Sequence, residues 1–357
     1  MMNRIYMNKK DSRLISITSK CKVMWETYKP LWWCSNPWLN VFATMIKHRI
    51  CSLFWPMSMK RENIIAADGG LVSIDWADDP ATRSLPSTAP ILAILHPLTG
   101  DSIKHADFME YASRHGWRSC VMNRRGHSGM SLTTPNFCIM GKVDDTVTMV
   151  SHIRERYPGC FLGLAGVSAG SGQVVSFIGR EGANANIDAA TSLCPAWDLQ
   201  QAFDNFQKHH SYLDYYLTQG LKSYFVNTPE NRPLLEKYSQ SAFDNVNKTS
   251  SIGEFMKSAY PYAGCDSEEQ FFAENNPMNF VFGNTTPCLV LNAEDDFLCM
   301  KENIRTDLAD SIQHFVLVVT KYGSHIAYNE IGGTNYMWRV TLDFFENVRL
   351  EKEIGNF

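Results

Sequence analysis

The chain has no strong excess of either charge: 33 basic and 37 acidic side chains leave a formal net charge of −4. No basic footprint for a phosphate backbone results, which excludes nucleic acid as a partner. Closely paired cysteines are also missing. The ten cysteines stand far apart, at positions such as Cys21, Cys120, Cys194 and Cys299, without the spacing of a zinc or thioredoxin-like motif, and read as buried, reduced thiols. Neither a metal nor an organic cofactor is expected. The first twenty residues lack the continuous apolar core of a signal peptide. Asn247-Lys-Thr and Asn284-Thr-Thr are therefore read as chance matches to a glycosylation acceptor. Nor is there a run of the ~20 apolar residues that spans a bilayer. The most lipophilic stretch, Leu31 to Met57, is interrupted by Asn36, Pro37, Asn40 and Lys47-His48-Arg49. Its Trp32, Trp33, Trp38, Phe42, Phe54 and Trp55 suit either a membrane interface or packing onto the domain. The expected location is cytoplasmic, or peripheral on an intracellular membrane.

What is present is enough apolar material for a large core: 45% of the 357 residues are hydrophobic and 20% charged. From Gly69 onward, short branched apolar segments alternate with segments of helical period, the pattern of a mostly parallel sheet covered by helices. The expected strands are Leu71–Trp76, Pro90–His96, Trp117–Asn123, Cys160–Val167, Ile187–Cys194, Cys288–Asn292 and Phe315–Thr320. Lys142–Tyr157 carries Val143, Val147, Val150 and Ile153 at helical spacing, and Pro158-Gly159 ends it. Asp78–Thr88 reads as a surface loop. The alternation breaks from Trp197 to about Gly283. The chain thus divides into an N-terminal segment packing on or near the core (1–65), two core halves (66–196 and 284–357) and an inserted helical cap (197–283).

The strongest chemical signal is Gly166-Val167-Ser168-Ala169-Gly170, between an apolar strand and a helical segment. A serine on so sharp a turn needs small neighbours on both sides. Gly172 is expected to allow close packing of that helix on the sheet. A serine hydroxyl needs a base, and the base an orienting acid. Asn292-Ala-Glu-Asp-Asp296 and Tyr322-Gly-Ser-His325 each follow a late strand, at the end where open parallel sheets put their sites. Ser168 is therefore the candidate nucleophile, Asp296 the acid and His325 the base. The bland alternatives are Asp296 as an N-cap for a helix from about Met300, and His325 as a turn histidine. An oxyanion hole needs two N–H donors, and the candidates are Ala169 and Leu98 in the turn His96-Pro-Leu-Thr-Gly100.

These features resemble the α/β-hydrolase-domain lipases, the group with animal monoacylglycerol and phosphatidylcholine hydrolases, plant embryogenesis-associated hydrolases and yeast medium-chain ethyl ester synthases. The resemblance rests on Tyr28-Lys-Pro30, Asp68-Gly-Gly-Leu-Val-Ser-Ile-Asp-Trp76, His96-Pro-Leu-Thr-Gly100, Asn123-Arg-Arg-Gly-His-Ser-Gly129, Gly166–Gly170, Ala293-Glu-Asp-Asp296 and Tyr322-Gly-Ser-His325. It implies an α/β-hydrolase fold and a hydrophobic ester or lipid as substrate, with acyl transfer to an alcohol, or a non-catalytic lipid- or protein-binding scaffold, as alternatives. It also implies that the second acid of Ala-x-Asp-Asp, Asp296, serves His325, leaving Asp295 to bond within its turn. Pro97 replaces a usual glycine and has no N–H, so the donor falls on Leu98. Phe297 and Met300 replace prolines often seen after the acid, and the N-terminal anchor common in the group is not evident. His96 to Asp101 also fits a His-x4-Asp acyltransferase pattern, which the oxyanion turn accounts for.

Overall fold

The computed structural model describes residues 2–54 and 56–355. Among them nine strands form one sheet: β1 Arg4–Met7, β2 Met59–Ile65, β3 Leu71–Ala77, β4 Ile91–Leu95, β5 Arg118–Asn123, β6 Leu162–Val167, β7 Ala189–Leu193, β8 Cys288–Ala293 and β9 Phe315–Thr320. Their spatial order is β1-β9-β8-β7-β6-β4-β5-β3-β2. The run from β5 through β4 to β9 is parallel. β3 joins β5 antiparallel, and β2 and β1 close the two edges antiparallel. Every residue of β4, β6, β7, β8 and β9 is buried, because helices cover both faces of these strands. Side chains alternate between two cores. Leu289, Leu291, Val316 and Val318 meet Phe344 and Phe345 of the C-terminal helix Tyr336–Glu353 on one face. Val290, Phe315 and Leu317 share the other with Phe177 and Ile178.

All seven segments expected as strands are strands. The two edge strands are not among them, since the N-terminal segment was expected only to lie against the core. β2 is charged and alternates weakly, with Arg61 held on Asp75 at 2.7 Å, and charge is common on a strand that must not template further pairing. The helix Ser12–Lys20, capped by Asp11 accepting from Leu14 N–H, packs on the C-terminal helix.

Between β7 and β8 the chain forms helices over Leu199–Tyr224, Arg232–Tyr238, Gln240–Lys248, Ile252–Ser258 and Glu268–Asn275. They share a third apolar cluster with Leu132, Phe137, Ile139 and Met140 from the loop after β5. The longest is kinked at His210, whose φ of −141° and ψ of 42° are not helical.

The helix Ala169–Glu181, which leaves β6, runs so close to the turns after Glu268–Asn275 that a Cβ at Gly179 would sit 2.2 Å from the Phe280 carbonyl oxygen. At Gly172 the same addition meets only Pro277, at 3.7 Å. The expected packing of Gly172 on the sheet is therefore not found; its open side borders a cavity. Gly179→Ala should destabilise by about 1–3 kcal/mol, as overpacking against fixed backbone does. Gly172→Ala should stabilise by about 0.5–1 kcal/mol through helix propensity. Thermal or urea unfolding of the two variants checks both signs.

Candidate active site

Gly166 to Gly170 turn the chain from β6 into the following helix. Ser168 at their centre has φ +53° and ψ −117°, a strained conformation for a residue with a side chain. The surroundings impose it. Ser168 N–H donates to Leu193 O at 2.9 Å. A Cβ at Gly166 would approach Gly170 O to 2.2 Å, and one at Gly170 would approach Leu95 O to 2.2 Å. Only glycine fits either place, so the helix crosses β4 and β6 closely and lifts the hydroxyl clear of the sheet.

The turns after β8 and β9 bring the other two candidates to this hydroxyl. Ser168 Oγ lies 2.8 Å from His325 Nε2, and His325 Nδ1 lies 2.9 Å from Asp296 Oδ2. Asp296 is buried, and its other oxygen accepts the N–H groups of Leu298 and Cys299, each at 2.8 Å. The helix expected from about Met300 is one short turn, Lys301–Asn303; Asp296 instead braces the bend just after itself. Asp295 was expected to bond within its own turn, but it reaches the neighbouring one. Its Oδ1 accepts Ser324 N–H at 2.8 Å, tying the acid-bearing turn to the His325 turn. Burial pushes the Asp295 carboxyl up to about 6, opposed by the Ser324 bond and assisted by the charge of Asp296. Ser324, Ile326 and Tyr328 all have positive φ, so the segment around His325 is strained and needs such ties.

Leu98 and Ala169 border the same cavity as Ser168 and His325. Neither of their amides donates to another group among the described residues. The Pro97 carbonyl, by contrast, accepts Gly100 N–H at 3.1 Å and Arg124 Nη2 at 2.5 Å. In a planar trans peptide the C=O and N–H point in opposite directions, so these donors fix the direction of Leu98 N–H. The His96 ring is fully buried and touches Arg124, whose backbone N–H reaches His96 Nε2 at 3.3 Å. Asp101 caps the turn Ser102–His105 by accepting Lys104 N–H. The His-x4-Asp pattern is thus part of the turn's framework. Arg124 and His127, whose Nε2 lies 3.0 Å from Leu98 O, were not singled out from sequence; their only signal is membership of the Asn123–Gly129 block.

The cavity has a volume of about 150 Å³ and mostly apolar walls, among them Met140, Phe203, Leu217, Ile252 and Leu298. Cys194, Asp296 and His325 have ligand atoms within 4.8 Å of one another. Two of the three groups are already engaged with each other and with Ser168, Asp296 Oδ2 on His325 Nδ1 and His325 Nε2 on Ser168 Oγ. Cys21, Cys34, Cys120, Cys138, Cys160, Cys194, Cys265, Cys288 and Cys299 are free and buried.

Known proteins resemble this chain in sequence and in fold. A family model described as serine aminopeptidase, S33, an α/β-hydrolase family, matches residues 86–331. Human phospholipase ABHD3 is 30% identical over 319 residues, covering 87% of this chain and 75% of that protein. The embryogenesis-associated protein EMB8 of Picea glauca is 27% identical (77% and 62% covered), and a monoacylglycerol lipase of Saccharomyces cerevisiae 25% (70% and 57%). Among solved structures, the Pyrococcus furiosus esterase Pf2001 superposes with a TM-score of 0.52 at 14% identity, covering 81% of this chain and 92% of that one. A bacterial membrane phospholipase A gives 0.53 at 13%, covering 88% and 92%. These two show the shared fold. The family's activity is hydrolytic, of the serine-hydrolase and lipase type. The match over more than half of its length makes this chain a member of the α/β-hydrolase family.

Proposed function

We propose that the protein cleaves carboxylic esters, lipid acyl esters foremost, through an acyl-Ser168 intermediate. One observation carries this reading: Ser168, His325 and Asp296 stand in unbroken hydrogen-bond succession at 2.8 and 2.9 Å beside an apolar cavity. His325 Nε2 takes the proton as Ser168 Oγ attacks, then returns it to the leaving alcohol. Asp296 keeps the imidazole proton on Nδ1 and stabilises the charged ring. The N–H groups of Leu98 and Ala169 receive the oxyanion, and water releases the acid. Relatives named as a phospholipase and a monoacylglycerol lipase support a lipid ester. A cavity of about 150 Å³ matches one that holds benzene, so a long acyl chain requires the helices between β7 and β8 to shift. We read them as a cap that shapes and gates the pocket.

The protein also has an apolar surface beside this site. The helix Pro37–Phe54 is turned inside out: Asn40 and Thr44 bond to Asn329 and Lys47 pairs with Asp107 on the protein side. Leu39, Phe42, Met45, Ile46, Ile50 and Leu53 face solvent. Trp32 is 87% exposed. Trp38 stacks on Phe297 with ring centres 4.3 Å apart, next in sequence to Asp296. Trp55 lies outside the described residues, as does the side chain of Phe54. No helix among the described residues is long and apolar enough to cross a membrane. An exposed apolar helix face beside the pocket suits a lipid surface.

Ser168→Ala should abolish ester hydrolysis and fluorophosphonate labelling, with the unfolding midpoint nearly unchanged; more than about a tenth of the rate remaining would reject Ser168. Added ethanol or glycerol should not divert the acyl group into new esters, as a product assay can read. Asp296→Asn should lower kcat by roughly 10³–10⁴, and Asp295→Asn far less. The raised Asp295 carboxyl also fixes a sign for stability. The folded state binds the extra proton, so wild type loses stability as pH rises from about 4 to about 6. Asp295→Asn should remove that loss, so its midpoint relative to wild type should climb over this window and level off above it. Phe42→Asp with Leu53→Asp should cut sedimentation with phosphatidylcholine vesicles by about tenfold or more, with hydrolysis of a short soluble ester unchanged.

A further inference from the structure

Arg124 is the least expected charge in the molecule. It is 1% exposed, and its hydrogen-bond partners are all neutral: Nη2 reaches Pro97 O at 2.5 Å and His96 Nδ1 at 2.9 Å, and Nη1 reaches Gln173 Oε1 at 3.0 Å and Ile139 O at 3.4 Å. Its neighbour Arg125 is also buried but sits between Asp68 and Asp145. Burying a guanidinium without a carboxylate costs several kcal/mol, and replacing one by an apolar side chain is often neutral or stabilising. A purely structural role thus gives little reason for a cation here. Burial lowers the Arg124 pKa to about 10, so the group stays charged at neutral pH.

Its placement supplies a reason. Two Arg124 donors face the His96 ring, the backbone N–H 3.3 Å from Nε2 and Nη2 2.9 Å from Nδ1. His96 Nδ1 also lies 2.8 Å from Pro97 O, so the ring, the guanidinium and the carbonyl form one compact polar cluster. The Pro97 carbonyl receives two donors, the Gly100 N–H and the Arg124 guanidinium. That carbonyl and Leu98 N–H belong to one peptide plane, so pinning the first aims the second. Hydrogen bonds to a peptide carbonyl also polarise its N–H, and bonds in such chains strengthen one another. Gln173, on the helix that starts behind Ser168, holds the other guanidinium nitrogen. The same cation therefore links the Leu98 turn to the element carrying Ser168 and Ala169.

We infer that Arg124 is the positioning residue of the oxyanion hole: it aims and polarises Leu98 N–H through the Pro97 carbonyl and fixes that turn to the Ser168 helix through Gln173. This rests on the acyl-Ser168 reading. Its signature is a loss confined to the transition state, because a neutral ground-state ligand does not use the strengthened donor.

The test compares two ligands of one alkyl chain. A trifluoromethyl ketone adds Ser168 Oγ to its carbonyl carbon, with the serine proton passing to His325, and so places an oxyanion in the hole. The corresponding secondary alcohol cannot accept the serine and reads ground-state binding. In Arg124→Met, kcat/KM should fall by about 10²-fold, in the range for loss of an oxyanion donor. Ketone affinity should fall in parallel, and alcohol affinity should stay within about threefold. Arg124→Lys, which keeps the charge and a donor, should recover about tenfold of the loss. Should Arg124→Met fail to fold, Gln173→Met decides: it leaves the Pro97 bond but frees the second anchor, and should weaken ketone binding by about fivefold or more relative to alcohol. Folded variants that keep wild-type ketone affinity, or lose ketone and alcohol affinity equally, overturn the assignment. A folded wild type that neither hydrolyses esters nor labels with fluorophosphonate overturns the acyl-serine reading and this inference with it. An active wild type with insensitive variants overturns only the role of Arg124.

Discussion

The backbone contact between the helix after Ser168 and strands β4 and β6 is the constraint on which the rest of the site depends. A methyl group at Gly170 would collide with Leu95 O, and one at Gly166 with Gly170 O. Because the helix comes that close, Ser168 is forced to positive φ and its side chain leaves the sheet along one direction. The ends of β4, β8 and β9 then fix everything that can meet that hydroxyl. The turn after β4 brings Leu98, and the turns after β8 and β9 bring Asp296 and His325. Wider spacing would leave three loops with no common point of convergence.

Polar groups around this centre are sorted by how they are compensated. Arg125 is held by two carboxylates, and Asp75 by Arg61, Ser102 and Asn123. These networks fasten the turn between β2 and β3 and the segments after β4 and β5. Asp295 and Arg124 are different. Asp295 has one oxygen on Ser324 N–H and the other buried without a partner, and Arg124 meets only neutral acceptors. Both stand one step behind the reacting atoms, where an incompletely compensated charge exerts its field on a neighbour. The Asn123–Gly129 block reaches the oxyanion turn from Arg124 and His127, which gives that sequence motif a physical task.

Most of the fold is legible in the sequence because five central strands are apolar on both faces and stand out from the polar helices between them. β1 is too short to show a period, and β2 reads as a charged loop; both become strands only because a sheet edge is waiting for them. The site is legible where chemistry demands a residue type at a strand end, as for Ser168, Asp296 and His325. It is illegible where a role depends on distant partners. Arg124 reads as surface charge until His96, Gln173 and Pro97 are brought around it, and Asp295 reads as a turn residue until Ser324 meets it. Gly172 looked like a packing glycine, but the side on which a glycine is crowded depends on the neighbouring Pro277 turn. The lipophilic stretch before Met57 was recognisable, and its inverted orientation was not, because a helix's period does not say which face turns inward.

The pairing of β1 with β9 has a consequence for the order in which the molecule is made. Arg4 lies opposite Val319 and Met7 opposite Val316, so β1 can be paired only after the chain through β9 has followed it. At ~5–20 residues per second that wait is roughly 15–60 s. Until then the segment has no sheet to join, and the helix Ser12–Lys20 lacks the C-terminal helix on which it packs. The opposite edge, β2 on β3, can pair far earlier, so in order of synthesis the sheet extends from that edge toward β1. The β1 edge is completed only once β9 is in place, and a nascent chain stalled before β9 holds the Ser168 turn without the His325 turn that meets it.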